Sequence, residues 1–221
     1  MTYEANNMTR TVKDSETRRS ELIDTAEELF LENGYEGTAV SEIVRNAGVA
    51  QGTFYHYFKS KNEVLSAITD RWTEEMRAGI EDIASRDDSD AIDKILCVFD
   101  FFSSLGRSRQ RLVEYVHEER RAHLHVKFEK RVPQIIIPLF SRMITEGVDE
   151  GFFDVRYPEM AALSILETAG AISHIHETYR LKDDAEKMNE ITDATFDFIE
   201  RLLGAKPGIF LEYVSKMEAS A

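Results

Sequence analysis

Apolar residues that recur every three or four positions restrict this chain to helical folds. This spacing places apolar side chains on one face of a helix, where they can be buried. Only 4 prolines and 11 glycines interrupt the pattern along 221 residues. No stretch shows convincing strand alternation, and the brief run 151–155 is better interpreted as a turn. We therefore expect an all-α protein, with a first stripe formed by Leu22, Ile23, Ala26, Leu29 and Phe30.

The pattern also predicts where the helices lie. Residues 1–14 are polar and aperiodic and are interpreted as a flexible arm, and the charged stretch 85–90 as a loop. Pro133 and Pro138 are expected to break or kink the helix that contains them, because proline removes a helical hydrogen bond. After two short helices and a long fourth helix that opens near Ser60, further helices are predicted near 91–105, 108–122, 124–147, 158–181, 184–203 and 208–218.

A sharp turn between two short helices is the feature that points to function. Thr38 is expected to cap the first of these helices through its hydroxyl. Gly48 ends it, because glycine adopts the positive φ that a tight turn requires. The second helix is predicted over 50–58, with Phe54 and Phe58 buried at i, i+4. This is the arrangement of a helix-turn-helix, whose second helix enters the DNA major groove.

The outer face of that second helix carries side chains that suit base recognition. Glutamine pairs with adenine edges, and a threonine methyl or a tyrosine ring contacts a thymine methyl. Lys61 and Thr38 each stand at a helix start, where backbone N–H groups attract phosphate. The outward side chains are Gln51, Thr53, Tyr55, His56 and Tyr57.

The charge distribution is compatible with DNA binding, although the net charge of −14 is not typical of it. Residues 1–61 hold seven Lys and Arg against ten Asp and Glu, which gives −3, so most of the acid lies elsewhere. Between Ile43 and Asn62 there is no acidic residue at all. An acidic body weakens non-specific DNA binding and leaves discrimination to local contacts.

Several segments resemble the TetR family of transcriptional regulators in their residues, their order and their spacing. They are Ala26-Glu27-Glu28-Leu29-Phe30, Asn33-Gly34-Tyr35, Thr38, Ile43-Val44, Ala47-Gly48-Val49 and, above all, Gly52-Thr53-Phe54-Tyr55-His56-Tyr57-Phe58-Lys59-Ser60-Lys61. The resemblance covers about residues 15 to 70.

The resemblance implies a regulator, most simply a repressor, that binds a palindromic operator as a homodimer. A small effector entering the C-terminal domain would shift the helix after Lys61 and release the DNA. The implied domains are a helix-turn-helix domain over 15–61 and a helical ligand-binding and dimerisation domain over 62–221. The implied DNA-binding residues are Thr38, Ser41, Gln51, Gly52, Thr53, Tyr55, His56, Tyr57 and Lys61.

The C-terminal domain is predicted from its helical pattern alone. Its dimer seam is expected on the helices near 158–181 and 184–203, because small residues at 168–171 allow close helix approach. A mostly apolar pocket with a few polar groups would suit a hydrophobic effector. The candidate ligand-binding residues are Phe99, Phe102, Tyr115, Leu139, Met143 and His174.

Other functions are less well supported. The pairs His123/His125 and His174/His176 diverge on a helix and cannot chelate one metal ion. A site built from His117, Glu118, His174 and Glu177 stays open, and with it an enzyme that uses these groups. A helical interaction module that has lost DNA binding is the third alternative.

No cofactor and no membrane partner is expected. The sequence has no phosphate loop and no dinucleotide fingerprint. It has no apolar run of about 18 residues and no signal peptide. A single cysteine, Cys97, allows no disulfide within the chain, which fits a cytoplasmic protein.

Overall fold

The computed structural model describes residues 15–117, 122–178 and 185–220. Within them the chain is all-helical and contains no strand, as the sequence predicts, and 151–155 is a turn and loop. The helices are α1 Ser15–Asn33, α2 Val40–Asn46, α3 Gln51–Tyr57, α4 Lys61–Ala84, α5 Ala91–His117, α6 Ala122–Asp149, α7 Pro158–Thr178, α8 Ala185–Leu203 and α9 Ile209–Ser220.

Helix α5 contains the helix predicted at 91–105 and, up to His117, the one predicted at 108–122. They follow one another without a loop and meet at a kink at Arg109, whose backbone is non-helical (φ −123°, ψ 16°). Arg109 is held there by Glu75, with Nη2 donating to the carboxylate at 2.6 Å, and by the Trp72 ring, 5.2 Å from its guanidinium carbon. One residue absorbs the bend, so no connecting loop is needed.

Of the predicted break or kink at Pro133 and Pro138, the break does not occur, because α6 is continuous through both. A proline inside a helix costs about 3 kcal/mol. Buried side chains on the same helix offset this cost, since fully burying each contributes about 1.5–3 kcal/mol. Ile136 and Phe140 are 3 % exposed, and Met143 is fully buried.

The described chain divides into two compact units, and the first contains the helix-turn-helix. It comprises the chain up to Arg71 together with Arg111–Val116. Arg71 on α4 donates to the carboxylates of Asp24 and Glu27 on α1. The core side chains of this unit include Leu22, Phe30, Ile43, Phe54, Phe58 and Leu65.

The second unit comprises Trp72–Gln110 and the chain from His117. Its core is apolar and draws on α4 to α9. A buried carboxylate fixes the last helix: Glu200 accepts the backbone N–H groups of Gly208 at 2.7 Å and Phe210 at 3.0 Å. Backbone N–H groups at the start of a helix have no partners within the helix, and Glu200 supplies an acceptor for two of them at the start of α9. Among the described residues, no helix is long and apolar enough to cross a membrane.

Candidate nucleic-acid interface

The turn between α2 and α3 has the geometry of a helix-turn-helix. Gly48 adopts φ 63°, which an L side chain disfavours. The Val49 N–H donates back to the Val44 carbonyl at 3.1 Å, which closes the end of α2. Val44 is buried, so the turn is fixed by both backbone hydrogen bonds and apolar packing.

Helix α3 presents its predicted outer face to solvent. Phe54 is fully buried and Phe58, just after the helix, is 1 % exposed. On the opposite side Tyr55 is 51 % exposed, although large aromatic side chains are usually mostly buried. The structure therefore brings together the predicted set: Ser41, Gln51, Gly52 and His56 are exposed, and Thr53 and Tyr57 are half-buried.

Gly52 is a glycine that the fold of the chain does not require. A Cβ atom built there meets nothing within 4 Å, and Gly52 is not among the glycines with positive φ. Glycine inside a helix costs about 0.5–1 kcal/mol relative to alanine. A glycine at this exposed position of α3 leaves its backbone open to close approach by another molecule.

The structure corrects the role predicted for Thr38. Helix α2 is N-capped by Ala39, and Thr38 is only 1 % exposed. Its hydroxyl points at the carbonyl oxygens of Gly34, at 2.9 Å, and Leu29, at 3.1 Å. Carbonyl groups at a helix C-terminus lack intrahelical partners, so Thr38 closes α1 instead of opening α2. The predicted contact of Thr38 with a phosphate stays a prediction.

Lys61 lies at the start of α4, but its ammonium is turned towards the link between α1 and α2. Its Nζ donates to the carbonyl oxygens of Tyr35 at 2.5 Å and Thr38 at 2.9 Å. It also lies 4.1 Å from the centroid of the Tyr35 ring. Lys61 therefore fastens this link to α4, and its contact with phosphate stays a prediction.

The start of α4 is closed by hydrogen bonds similar to a capping box, except that the Glu63 carboxylate binds the N–H of the residue before the N-cap Ser60. The Ser60 hydroxyl accepts the Glu63 N–H at 3.2 Å. The Glu63 carboxylate reaches back to the Lys59 N–H at 2.5 Å. Glu63 follows directly after the segment 43–62, which has no acidic residue, and its carboxylate is hydrogen-bonded within the protein.

Two features of this surface were missed from the sequence. Ser15, in the first turn of α1, donates its hydroxyl to the Tyr57 hydroxyl oxygen at 3.3 Å. The Arg19 guanidinium lies 5.2 Å from the centroid of the Phe58 ring. The run of cations that includes Arg19 was visible in the sequence, but its position against the end of α3 depends on how α1 packs.

The predicted ligand-binding residues are only partly brought together. Phe99, Phe102 and Leu139 are half-buried against the core of the second unit, and Met143 is fully buried in it. Tyr115 instead belongs to the first unit, because its ring packs on Tyr35. The side chain of His174 lies outside the described part of the structure.

No metal cluster occurs among the residues described. No group of three His, Cys, Asp or Glu side chains in this part of the chain could hold a metal ion. The alternative site of His117, Glu118, His174 and Glu177 lies outside the described side chains, as do the His123/His125 and His174/His176 pairs. Cys97 is half-buried, and burial raises the pKa of its thiol, which disfavours the reactive thiolate.

Comparison with known proteins agrees with this geometry. The family model of bacterial regulatory proteins, tetR family, matches residues 22–68, which span α1 from Leu22 to the first turns of α4. The chain therefore carries a DNA-binding domain of the tetR family. The match covers the whole helix-turn-helix, and this chain is a DNA-binding regulator of transcription.

Relatives of known name extend the likeness beyond the DNA-binding unit. The fatty acid metabolism regulator protein of Bacillus subtilis is 28 % identical over 147 residues, 63 % of this chain and 73 % of the relative. The transcriptional repressor KstR2 of Mycobacterium tuberculosis is 26 % identical over 150 residues, 66 % of this chain and 74 % of its own length. The structure of FadR from Bacillus subtilis in complex with stearoyl-CoA superposes with a TM-score of 0.58 at 25 % identity, covering 83 % of this chain and 97 % of that one.

Proposed function

We propose that this protein binds a palindromic operator as a homodimer and is released from it by a small hydrophobic effector. In this proposal residues 15–61 read the DNA, and residues 62–221 bind the effector and dimerise. The protein acts as a repressor in the cytoplasm and catalyses no reaction. The single observation that carries the proposal is the exposed outer face of α3, which has no carboxylate in a chain of net charge −14.

The roles proposed for the residues follow from their exposure. Gln51, Thr53, Tyr55 and His56 face the bases from α3, and Ser41 approaches the DNA from α2. Gly52 lets the α3 backbone come close to the DNA. Tyr57 donates a hydrogen bond to a DNA phosphate. Lys61, at the start of α4, contacts the backbone of the same DNA strand. Thr38 positions α2 through its contacts with the end of α1.

An apolar effector is supported by the composition of the second unit. Phe99 and Phe140 pack with ring centroids 6.0 Å apart, and Phe102 and Leu139 are also half-buried. Aromatic and aliphatic walls with few polar groups are typical of small-molecule sites. The comparisons point the same way, since a fatty acid metabolism regulator of Bacillus subtilis is among the relatives and the FadR structure was solved with stearoyl-CoA. We propose a ligand with an acyl chain or a comparable apolar body.

A homodimer through α7 and α8 is supported by the apolar surface that these helices leave uncovered. Phe198 on α8 is 46 % exposed, and Met160 on α7 is 58 % exposed. Exposed apolar patches on a soluble protein mark contact sites. Two copies related by a two-fold axis would present the same helices to each other.

The test is a titration of labelled DNA with the protein at two salt concentrations. The first DNA comes from upstream of the protein's own gene. The next are genomic fragments selected for binding to the protein. We expect tight binding of two subunits to each operator, one on each half-site. The affinity should fall steeply at higher salt. Mass spectrometry of the denatured protein first checks that no ligand was carried through purification. Ligand-free protein that binds every fragment no better than a random-sequence duplex would contradict the proposal.

The base-reading role has its own variant. Tyr55→Ala removes an exposed ring without disturbing the core, so folding should be unchanged. We expect weaker discrimination between the operator and a random duplex, by about 1–3 kcal/mol. Equal discrimination by variant and parent would remove Tyr55 from the set of base contacts.

A further inference from the structure

The first turn of α1 lies against the end of α3. The Ser15 hydroxyl meets the Tyr57 hydroxyl at 3.3 Å, and one turn later the Arg19 guanidinium covers the Phe58 ring at 5.2 Å. All four residues belong to the first unit. The end of the DNA-reading helix is thus continuous with a surface contributed by α1.

The chemistry of Arg19 at this position suits a phosphate. An arginine stacked on an aromatic ring keeps the N–H donors at its edge available, and these match phosphate oxygens in pairs. Arg19 is exposed, and the ion pairs found among the described residues do not include it. The neighbouring Arg18 differs, because its Nη1 donates to the Glu21 carboxylate at 3.1 Å.

The hydrogen bond from Ser15 prepares Tyr57 for the same kind of contact. Because Ser15 donates and the Tyr57 oxygen accepts, the Tyr57 hydroxyl proton is left to donate to another group. Phosphate oxygens accept hydrogen bonds from tyrosine hydroxyls in DNA complexes. Ser15 therefore orients Tyr57, and Arg19 adds a positive charge beside it.

We propose that the α1 turn Ser15–Arg19 is a second DNA-backbone contact, in which Arg19 binds a phosphate flanking the bases that α3 reads. This inference rests on the proposed function, since it needs an operator. It enlarges the footprint of each subunit beyond α2, α3 and the start of α4. Arg19 contributes affinity and register, and it carries no base specificity.

The experiment compares Arg19→Gln with Arg18→Gln on the upstream DNA fragment over a series of salt concentrations. Both variants lose one positive charge at adjacent positions of α1, so they change the overall field of the protein equally. Each phosphate contact contributes about 0.9 to the slope of log affinity against log salt. We expect Arg19→Gln to lower that slope by about one, and Arg18→Gln to leave it close to the parent value.

Further variants separate a contact from a fold defect. Arg19→Lys keeps the charge but loses the paired N–H donors of the guanidinium, and it should recover part of the slope. Thermal melting of each variant checks that α1 is intact. Equal slopes for Arg19→Gln and Arg18→Gln, both in folded protein, would overturn the contact and leave only general electrostatics. A parent that binds no DNA would instead overturn the proposed function.

Discussion

Tyr115 stacks on Tyr35, with ring centroids 4.5 Å apart and planes inclined by 31°. Tyr115 comes from the C-terminal part of α5, and Tyr35 from the link between α1 and α2. The Tyr115 hydroxyl also donates to the Glu36 carboxylate at 3.2 Å. A segment distant in sequence is therefore built into the DNA-binding unit next to the carbonyl groups that Lys61 holds.

Truncating Tyr115 should destabilise the first unit. Tyr115→Ala removes a ring that is 9 % exposed, and we expect a loss of about 3 kcal/mol in the free energy of unfolding. Tyr115→Phe keeps the stack and loses only the hydrogen bond, at a cost of about 1 kcal/mol. Urea unfolding measures both values.

The control for this pair is Tyr157→Ala, since Tyr157 is 62 % exposed and should change stability by less than about 0.5 kcal/mol. If Tyr115→Ala is as mild as that control, the stack on Tyr35 contributes nothing to the fold.

Gly52→Ala should separate stability from DNA binding. The added methyl group meets no atom of the protein, and alanine is the better helix former, so the melting temperature should stay the same or rise. In a complex the methyl group would stand between the α3 backbone and the DNA. We expect an affinity loss of at least about tenfold, or 1.4 kcal/mol, measured by fluorescence anisotropy.

Gly106→Ala is the matched control. Gly106 is also an exposed helical glycine whose Cβ position is open, but it lies on α5. This variant should gain stability by up to about 1 kcal/mol and bind DNA like the parent. An operator affinity of Gly52→Ala equal to that of Gly106→Ala would show that the α3 backbone does not approach the DNA closely.

A charge on the exposed face of α8 should disrupt the proposed dimer. Phe198→Glu places a carboxylate where the partner's apolar surface would cover it, and burying an unpaired charge costs several kcal/mol. We expect the molar mass from light scattering to fall to that of one subunit. Met217→Glu on α9, where Met217 is 42 % exposed, should leave the mass unchanged. A dimer that persists in Phe198→Glu would place the seam elsewhere.

The second unit should lose stability at alkaline pH through Tyr213. Burial raises the pKa of Tyr213 to about 12, and the hydrogen bond from its hydroxyl to Asp90, at 2.8 Å, acts in the same direction. The unfolded chain ionises near the ordinary tyrosine pKa of about 10. The folded state therefore holds its proton more tightly, and this stabilisation is complete below about pH 10 and is lost as the pH rises through about 12.

Tyr213→Phe has no proton to lose, so the difference in melting temperature between parent and variant should shrink across that range. Comparing the two proteins at each pH cancels the titration of all other groups. A difference that does not change with pH would show that the Tyr213 hydroxyl is not held in its neutral form by the fold.

The sequence by itself determined the elements that local chemistry controls. The apolar stripe of α1, the positive φ of Gly48 and the alternation of Phe54 and Phe58 with outward polar residues depend on residues close in the chain. These were sufficient for the helical class, the helix-turn-helix and the outward set on α3. The reason is that helix periodicity and turn chemistry are set within a few residues.

The tertiary structure decided everything that depends on which segments meet. It turned Thr38 inward to close α1, carried α6 through two prolines, and placed Tyr115 on Tyr35 and Arg19 on Phe58. Such contacts join residues far apart in sequence, and their energies come from burial and shared hydrogen bonds that no local pattern encodes. The spacing of residues predicts which side chains lie on one face of a helix. Which other segment packs against that face depends on how the whole core packs.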